Sequence, residues 1–402
     1  MTDVFIYDAL RTPRGNHKLS GALHEVRAIT LLATVLRALK QRQNLDTARV
    51  DDGIFGCVAA VNDQGGNIAK TALLYADWDS SVGGVQINRY CCSGLDAVNM
   101  AALKIGSGME DLIVAGGVES MSRVPMYSDG GPFLYDPEVV SKINYIPQGI
   151  AADLIATLEH ITREEADLYA LQSEQRAVHA QQYGYFDKSL VPICDSNGLI
   201  ILEKDERPRA DTNLDALSKL KPSFALEGEN GFDAVAQRKY PMVERIEHIH
   251  TAGNSSGKAN GAAAVLVGSA AIGKALGLTP RARIVSTATM SCEPTLMLTG
   301  FEAAVHKVLK KGNLSKKDID LWEINESFAA VNVAAMRKLD LDPLIVNVNG
   351  GAIAFGHPLG ATGAMLVSVA LDELERQNKK RALITIAGGG MGSATIIELV
   401  GS

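Results

Sequence analysis

Ile113-Val114-Ala115-Gly116-Gly117 recurs in outline near the other end of the chain as Thr385-Ile386-Ala387-Gly388-Gly389. Each is a short apolar run closed by paired glycines, the pattern of a buried strand ending in a tight turn. Two further matches keep the same order at a common offset of 269. Asn44-Leu45 followed by Val50-Asp51 answers Asn313-Leu314 followed by Ile319-Asp320, and Ser93-Gly94 answers Thr362-Gly363, each opening an apolar helix. One such coincidence carries little weight. Three in one order argue a duplicated unit, with a period far too long for a solenoid. Strand and helix signals alternate in both copies. In the first, Ile29 to Leu39 reads as helix and Gly53 to Val61 as strand. In the second, Ala303 to Lys310 and Ser327 to Arg337 read as helices on either side of a strand at Leu321 to Ile324. A helix at Gly363 to Arg376 and a buried strand at Leu383 to Ala387 follow. This is the pattern of a layered α/β protein with helices over largely parallel sheets.

A chain of 402 residues exceeds one ordinary core. Between the copies the texture changes: Gly130-Gly131-Pro132, a Thr162-x-x-Glu165 capping box and the charged stretch Glu203 to Arg209 mark a more solvated insertion. The expected organisation is a first half over 1–120, an inserted loop subdomain over 121–248, a return of the first half over 249–276 through the buried strand Ala262 to Val267, and a second half over 277–402. A net charge of −7 leaves no electrostatic footprint for nucleic acid, and no Lys/Arg run suits an anionic membrane. Apolar tracts such as Ala382 to Val400 are broken by Gly-rich turns and by Glu398, so no membrane span is expected. The five cysteines are an odd number without framework spacing, which suits a reducing compartment. Thr2 to Tyr7 reads as a first strand, and a cytoplasmic protein is expected. No metal-ligand spacing occurs among the histidines and cysteines, so no metal site is expected.

Four segments carry chemistry: Cys91-Cys92-Ser93-Gly94, Asn325-Glu326-Ser327-Phe328, the loop from Gly350 to Gly360 with His357, and Gly388-Gly389-Gly390. Cys91 sits where the strand Val85 to Ile87 turns into an apolar helix, and a helix N-terminus favours the nucleophilic thiolate. Taken alone, Cys91 is more readily a buried structural thiol, since free cysteine is among the most buried residue types. His357 alone reads as a hydrogen-bonded loop residue, Asn325 as a cap or turn former. The duplication changes this weighting. It puts the Cys91 and His357 loops at corresponding strand-to-helix positions, able to face each other across the junction of the halves. A thiol facing an imidazole is an activated nucleophile. Asn325 adds an amide for a developing oxyanion, directly or through water, and glycines at Gly388 let backbone N–H groups approach the reacting carbon.

The chain resembles the thiolase family along essentially its whole length. The resemblance rests on the opening Val4-Phe5-Ile6-Tyr7-Asp8-Ala9-Leu10-Arg11-Thr12-Pro13, on Ala115-Gly116-Gly117-Val118-Glu119-Ser120-Met121-Ser122, on Thr251-Ala252-Gly253-Asn254-Ser255-Ser256-Gly257 and on Gly356-His357-Pro358-Leu359-Gly360. It implies the thiolase fold: two duplicated βαβαβαββ halves in five layers (αβαβα), with a loop domain inserted in the first. It implies ping-pong acyl transfer between acyl-CoA and CoA, with coenzyme A as a substrate and no permanently bound cofactor. Cys91 is then the acylated nucleophile and His357 its base. Asn325 and His357 stabilise the thioester enolate, and the N–H groups of Cys91 and Gly388 form a second oxyanion hole. Ser256 and Phe328 match positions along the pantetheine channel, and Pro147-Gln148-Gly149 stands beside the acyl pocket. The implied assembly is a homodimer or homotetramer, with a β-oxidation protein as a further partner.

One position departs from the family pattern. Most thiolases place a second cysteine, the acid/base for the α-proton, two residues before the glycine triplet, and here that residue is Ile386. An isoleucine exchanges no proton. Ser327, where one subgroup carries this cysteine, is one compensating candidate; Cys92, adjacent to the nucleophile on a turn, is a weaker one. The expectation is therefore acylation of Cys91 with attenuated thiolysis. Decarboxylative Claisen condensation by Cys91, His357 and Asn325, and a non-catalytic CoA-binding subunit, are the alternative readings.

Overall fold

The computed structural model describes residues 2–401. The first half runs β1 (Val4–Arg11), α1 (Ala28–Arg42), β2 (Asp52–Gly56), α2 (Ile68–Tyr75), β3 (Val85–Ile87), α3 (Ser93–Gly106) and β4 (Leu112–Ser120). A long excursion follows, whose main helices are α4 (Gln148–Leu158) and α5 (Arg163–Gln182). The chain then re-enters the sheet as β5 (Ala259–Ser269). The second half repeats the plan: β6 (Ala282–Ser291), α6 (Gly300–Gly312), β7 (Leu321–Ile324), α7 (Ala329–Leu339), α8 (Leu359–Gln377), β8 (Arg381–Gly388) and β9 (Met391–Leu399). The first half thus completes the βαβαβαββ series. In the second, the third strand shrinks to a single parallel bridge between Trp322 and Val346. Asn347 explains this: its φ of 45° turns the chain out of the extended region one residue later.

Sheet order is β7-β8-β9-β6-β1-β5-β4-β2-β3. The halves join where β1 pairs antiparallel with β6, at Phe5 with Arg283 and Ile6 with Ala282. The sheet is mixed, not largely parallel as the strand–helix alternation predicts: parallel pairing is confined to β2 with β3 and β4, and to β7 with β8. The other named pairs are antiparallel because β5 and β9 return without a crossover helix. Five layers result. α3 and α8 fill the middle, packing on strands of both halves, while α1 and α2 cover the first half and α6 the second. The sequence explains which helices go inside. Every residue of α8 from Leu359 to Leu374 is buried; the stretch is apolar or small on nearly all sides, which an interior position satisfies, and its two charges, Asp372 and Glu373, pair with Arg281 and Arg376. α1 instead buries one face, Leu31, Leu32, Val35, Leu36 and Leu39, and exposes the other. α5 opens with the expected reciprocal box between Thr162 and Glu165.

Two elements are shorter than the periodicity predicts. The strand expected from Gly53 to Val61 ends at Gly56, because the N–H groups of Val58 and Ala59 turn aside to the buried Glu119 carboxylate at 2.9 and 3.1 Å. The helix expected from Ser327 begins at Ala329, because Phe328 stays extended and bridges Ser255. Both deviations lie at the ends of parallel strands, where sites form in open α/β sheets.

Candidate active site

Cys91 follows β3 and is 6% exposed; Cys92 caps α3. Gly388, the last residue of β8, lies against Cys91: a Cβ there would stand 2.8 Å from Sγ, so only glycine lets the strand end at the thiol. The adjacent Cys92 turns the other way, its Sγ 3.4 Å from the Ile386 carbonyl oxygen, and is fully buried. Ile386 itself is 1% exposed and packs in the same apolar cluster as Cys91 and Leu359.

His357 is pinned at two points. Its N–H donates to the Gly257 carbonyl at 2.8 Å, and Nδ1 lies 2.6 Å from Thr362 Oγ1. The Thr362 hydroxyl donates to the Pro358 carbonyl at 3.1 Å. Having spent its proton there, it accepts from Nδ1–H, and Nε2 is left as the unprotonated nitrogen. Nε2 is buried with no hydrogen-bond partner. Burial, with the Arg14 guanidinium nearby, lowers the imidazole pKa to about 3. The thiolate expected at the helix N-terminus is not the resting form of Cys91. Desolvation outweighs the helix terminus and pushes the thiol up to about 12. These shifts favour the neutral form of both groups, a protonated thiol and a bare imidazole nitrogen.

The two loops meet because α3 and α8 touch backbone to backbone. A Cβ on Gly363 would sit 2.2 Å from the Leu95 nitrogen, and one on Gly94 2.6 Å from the Gly360 carbonyl oxygen. These are the paired positions of the sequence repeat. Asn325 joins from β7, its N–H bonded to the Thr385 carbonyl at 3.0 Å. Its side-chain Nδ2 donates to Ser327 Oγ at 3.0 Å, while its Oδ1 is buried and unpaired. The segment 255–258 stitches the remainder together: Ser256 N–H donates to the Ser327 carbonyl at 2.9 Å, and Lys258 bridges His357.

Two buried carboxylates, which the motifs did not single out for this role, lock the loops in place. Glu119 accepts from Val58, Ala59, Gln64 and the Gly360 N–H, tying the His357 loop to the first half. Glu326 accepts from Tyr169, Ser173, Asn347 and the Ile353 N–H, tying the same loop to α5 and β7. Burial raises both pKa values, against the pull of these donors.

Two cavities approach the site. One opens at Cys91 and is walled by Tyr90, Phe133, Tyr145, Met126 and Met297, with Gln148 also on it. The other passes Ser256 and carries His17, Lys18, Arg207 and Arg209. Phe328 stands behind this groove, its ring edge-on to Phe224 at 5.9 Å. Arg207 lies over Gly257 and Gly356, forms no ion pair among the described residues and leaves Nε buried and unpaired. Among the described residues no cluster suits a metal ion, and no helix is long and apolar enough to cross a membrane.

Residues 4–230 match the thiolase N-terminal domain model and residues 278–399 the thiolase C-terminal domain model. The chain is 39% identical to the 3-oxoadipyl-CoA/3-oxo-5,6-dehydrosuberyl-CoA thiolase of Escherichia coli (strain K12), covering 100% of both sequences. It is 38% identical to a 3-ketoacyl-CoA thiolase of Cronobacter sakazakii, again over 100% of both. Among solved structures, the Bacillus anthracis acetyl-CoA acetyltransferase superposes with a TM-score of 0.85 at 35% identity, over 100% of this chain and 99% of that one.

Proposed function

The chain belongs to the thiolase family, and on that premise we propose that it cleaves a 3-ketoacyl-CoA with CoA, or condenses two acetyl-CoA molecules in reverse, through an acyl-Cys91 intermediate. The observation that carries this reading is the pairing of a neutral Cys91 thiol with a site whose one bare base nitrogen, His357 Nε2, is buried and unpartnered. Substrate binding brings the thiol proton to Nε2, and Sγ attacks the keto carbon. The bond between C2 and C3 breaks, leaving an acyl group on Cys91 and the enolate of acetyl-CoA. Protonated Nε2 hydrogen-bonds the thioester oxygen, and its proton then passes to C2 with Ser327 as the proposed relay, so that acetyl-CoA leaves and Nε2 is a bare base again. Asn325 acts through a water molecule: its buried, unpartnered Oδ1 accepts from a water whose other hydrogen reaches the oxyanion, while Nδ2 spends one of its two N–H groups on Ser327. The Cys91 and Gly388 N–H groups receive the other oxyanion. Incoming CoA, deprotonated by His357, removes the acyl group. The relatives named above are thiolases, which favours this cycle over decarboxylative condensation or a non-catalytic subunit.

The groove past Ser256 is read as the CoA channel. It gathers Lys18, Arg207 and Arg209 on a chain of net charge −7, with Glu206 as the carboxylate on the lining and His17 favoured in its neutral form by burial, a net cationic mouth for an anionic nucleotide. A homodimer or homotetramer is the proposed assembly, consistent with β3 as an unpaired sheet edge carrying the exposed Val85. Ile386 leaves the enolate without the usual acid, so turnover is attenuated, with Ser327 as the compensating donor. The test is thiolysis of 3-oxooctanoyl-CoA by wild type and Ile386→Cys, with acyl-Cys91 followed by mass spectrometry. Wild type is expected to acylate and then turn over about tenfold or more slowly than the variant, a proton-transfer deficit at the small end for acid–base catalysis. Equal turnover of the two removes the attenuation; absence of any Cys91 adduct removes the nucleophile.

A further inference from the structure

The cavity at Cys91 is built in a way that selects its occupant. Among the described residues, thirteen other than glycine have positive φ, and ten of these are Asn, Asp or His, the types that tolerate that region. The other three are Tyr90 at 47°, Tyr127 at 73° and Met297 at 31°, and all three line this one cavity. Strained backbone of this kind persists only where surrounding structure over-determines it, and it concentrates at ligand sites. The strain here fixes apolar groups in the cavity wall before any ligand arrives.

The wall they complete is apolar and aromatic. Phe133 packs against Tyr90 at 5.7 Å between ring centroids and edge-on against Tyr145 at 5.1 Å. The phenol groups of Tyr127 and Tyr145 hydrogen-bond each other, so the polar ends of two rings are already engaged. Met121, Met126 and Met297 supply soft, adaptable surface around them. The ionisable carboxyl groups on the lining are Glu119, whose oxygens are committed to backbone and Gln64 donors, and Asp129 at the exposed rim. Among the described residues, no lysine, arginine or histidine lines this cavity. The nearest cations in sequence are engaged elsewhere, Arg89 with Asp96 and Arg123 with Asp63.

We infer that the acyl substrate of this protein is a 3-ketoacyl-CoA with a neutral, apolar acyl chain, and that the cavity excludes chains ending in a carboxylate. This rests on the thiolase reading for the position of the acyl chain at Cys91. It sets the protein apart from its 39% identical relative, whose name specifies a dicarboxylic 3-oxoadipyl chain. A terminal carboxylate would lose its water among phenyl and thioether groups, meet no cation, and face Asp129.

The full-length protein can be titrated with hexanoyl-CoA and with adipoyl-CoA, which match in chain length and differ in the terminal group. Neither requires turnover. Adipoyl-CoA is expected to bind at least about tenfold more weakly, the scale of one unfavourable charge contact near a protein surface. Met126→Lys should reverse the order, and Asp129→Asn, a surface change that leaves the core untouched, should narrow the gap severalfold. Equal binding, tighter binding of adipoyl-CoA, or no binding of either overturns the inference. Preference for hexanoyl-CoA without acetyl-CoA release from 3-oxooctanoyl-CoA supports the cavity assignment and discards the thiolysis reading alone.

Discussion

At the scale of single residues, the charge state of Cys91, the proposed nucleophile, decides how the proposed reaction begins. With the thiol pushed up to about 12 and the imidazole down to about 3, the neutral pair is favoured over a thiolate–imidazolium pair. Alkylation gives a direct reading. Below its pKa a thiol gains thiolate about tenfold with each pH unit, so iodoacetamide labelling of the Cys91 peptide should climb by that factor from about pH 7 to 10 without levelling off. A plateau near neutrality, the mark of a preformed ion pair, contradicts this state. Thr362 governs the other partner. By accepting from Nδ1–H it keeps Nε2 bare for the thiol proton. Thr362→Val removes that acceptor at nearly constant volume. It should lower kcat about 10- to 100-fold, a part of what a placed base contributes, with little change in KM. Thr362→Ser, which keeps the hydroxyl, should restore it. Equal kcat in all three proteins would mean that Thr362 does not position the base.

At the scale of elements, the site depends on how closely α3 and α8 approach. Gly94 and Gly363 carry that approach: backbone of one helix end rests on backbone of the other, and the Cys91 and His357 loops hang from these two ends. A methyl group on Gly363 meets the Leu95 nitrogen at 2.2 Å, backbone that cannot swing aside like a long side chain. Gly363→Ala should therefore destabilise the fold by about 1–3 kcal/mol, the usual cost of overpacking. It should also reduce activity by more than the lost folded fraction, because the loops are pushed apart. Calorimetry alongside specific activity checks both halves of this statement; an unchanged Tm refutes the first. The same elements mark where sequence reading stops. The paired Ser93-Gly94 and Thr362-Gly363 announced the helix junction, since both glycines are local in sequence. The shortened β2 and the late start of α7 were not legible, because the groups that end them, Glu119 and Ser255, lie 61 and 73 residues away from Val58 and Phe328.

At the scale of the whole molecule, duplication and motif order made the layered fold and the positions of Cys91, His357, Asn325 and Gly388 readable from the sequence. What was not readable follows from assembly. Desolvation by surrounding segments sets the pKa of Cys91, so a local rule about helix termini gave the wrong sign. The cavity walls come from the insertion, and their strain is invisible until backbone angles exist. The groove proposed for CoA is a third case. The chain is acidic as a whole, yet His17 and Lys18 after β1 meet Arg207 and Arg209 from the inserted region, and glycines at Gly257 and Gly356 let Arg207 lie flat against the His357 loop. Burial and the neighbouring Arg209 lower the Arg207 pKa from its usual range, a cost only partly offset by Glu174 and Glu206, since among the described residues no carboxylate stands in ion-pair contact. An anionic ligand relieves it. Arg207→Met should raise KM for CoA about tenfold, matching one charge-assisted hydrogen bond of about 1.5–3 kcal/mol, and change kcat less than about threefold. Because the contact is electrostatic, the wild-type KM should rise with ionic strength while that of the variant stays flatter. A variant with unchanged KM and unchanged salt dependence would detach Arg207 from CoA and leave its buried charge a feature of folding.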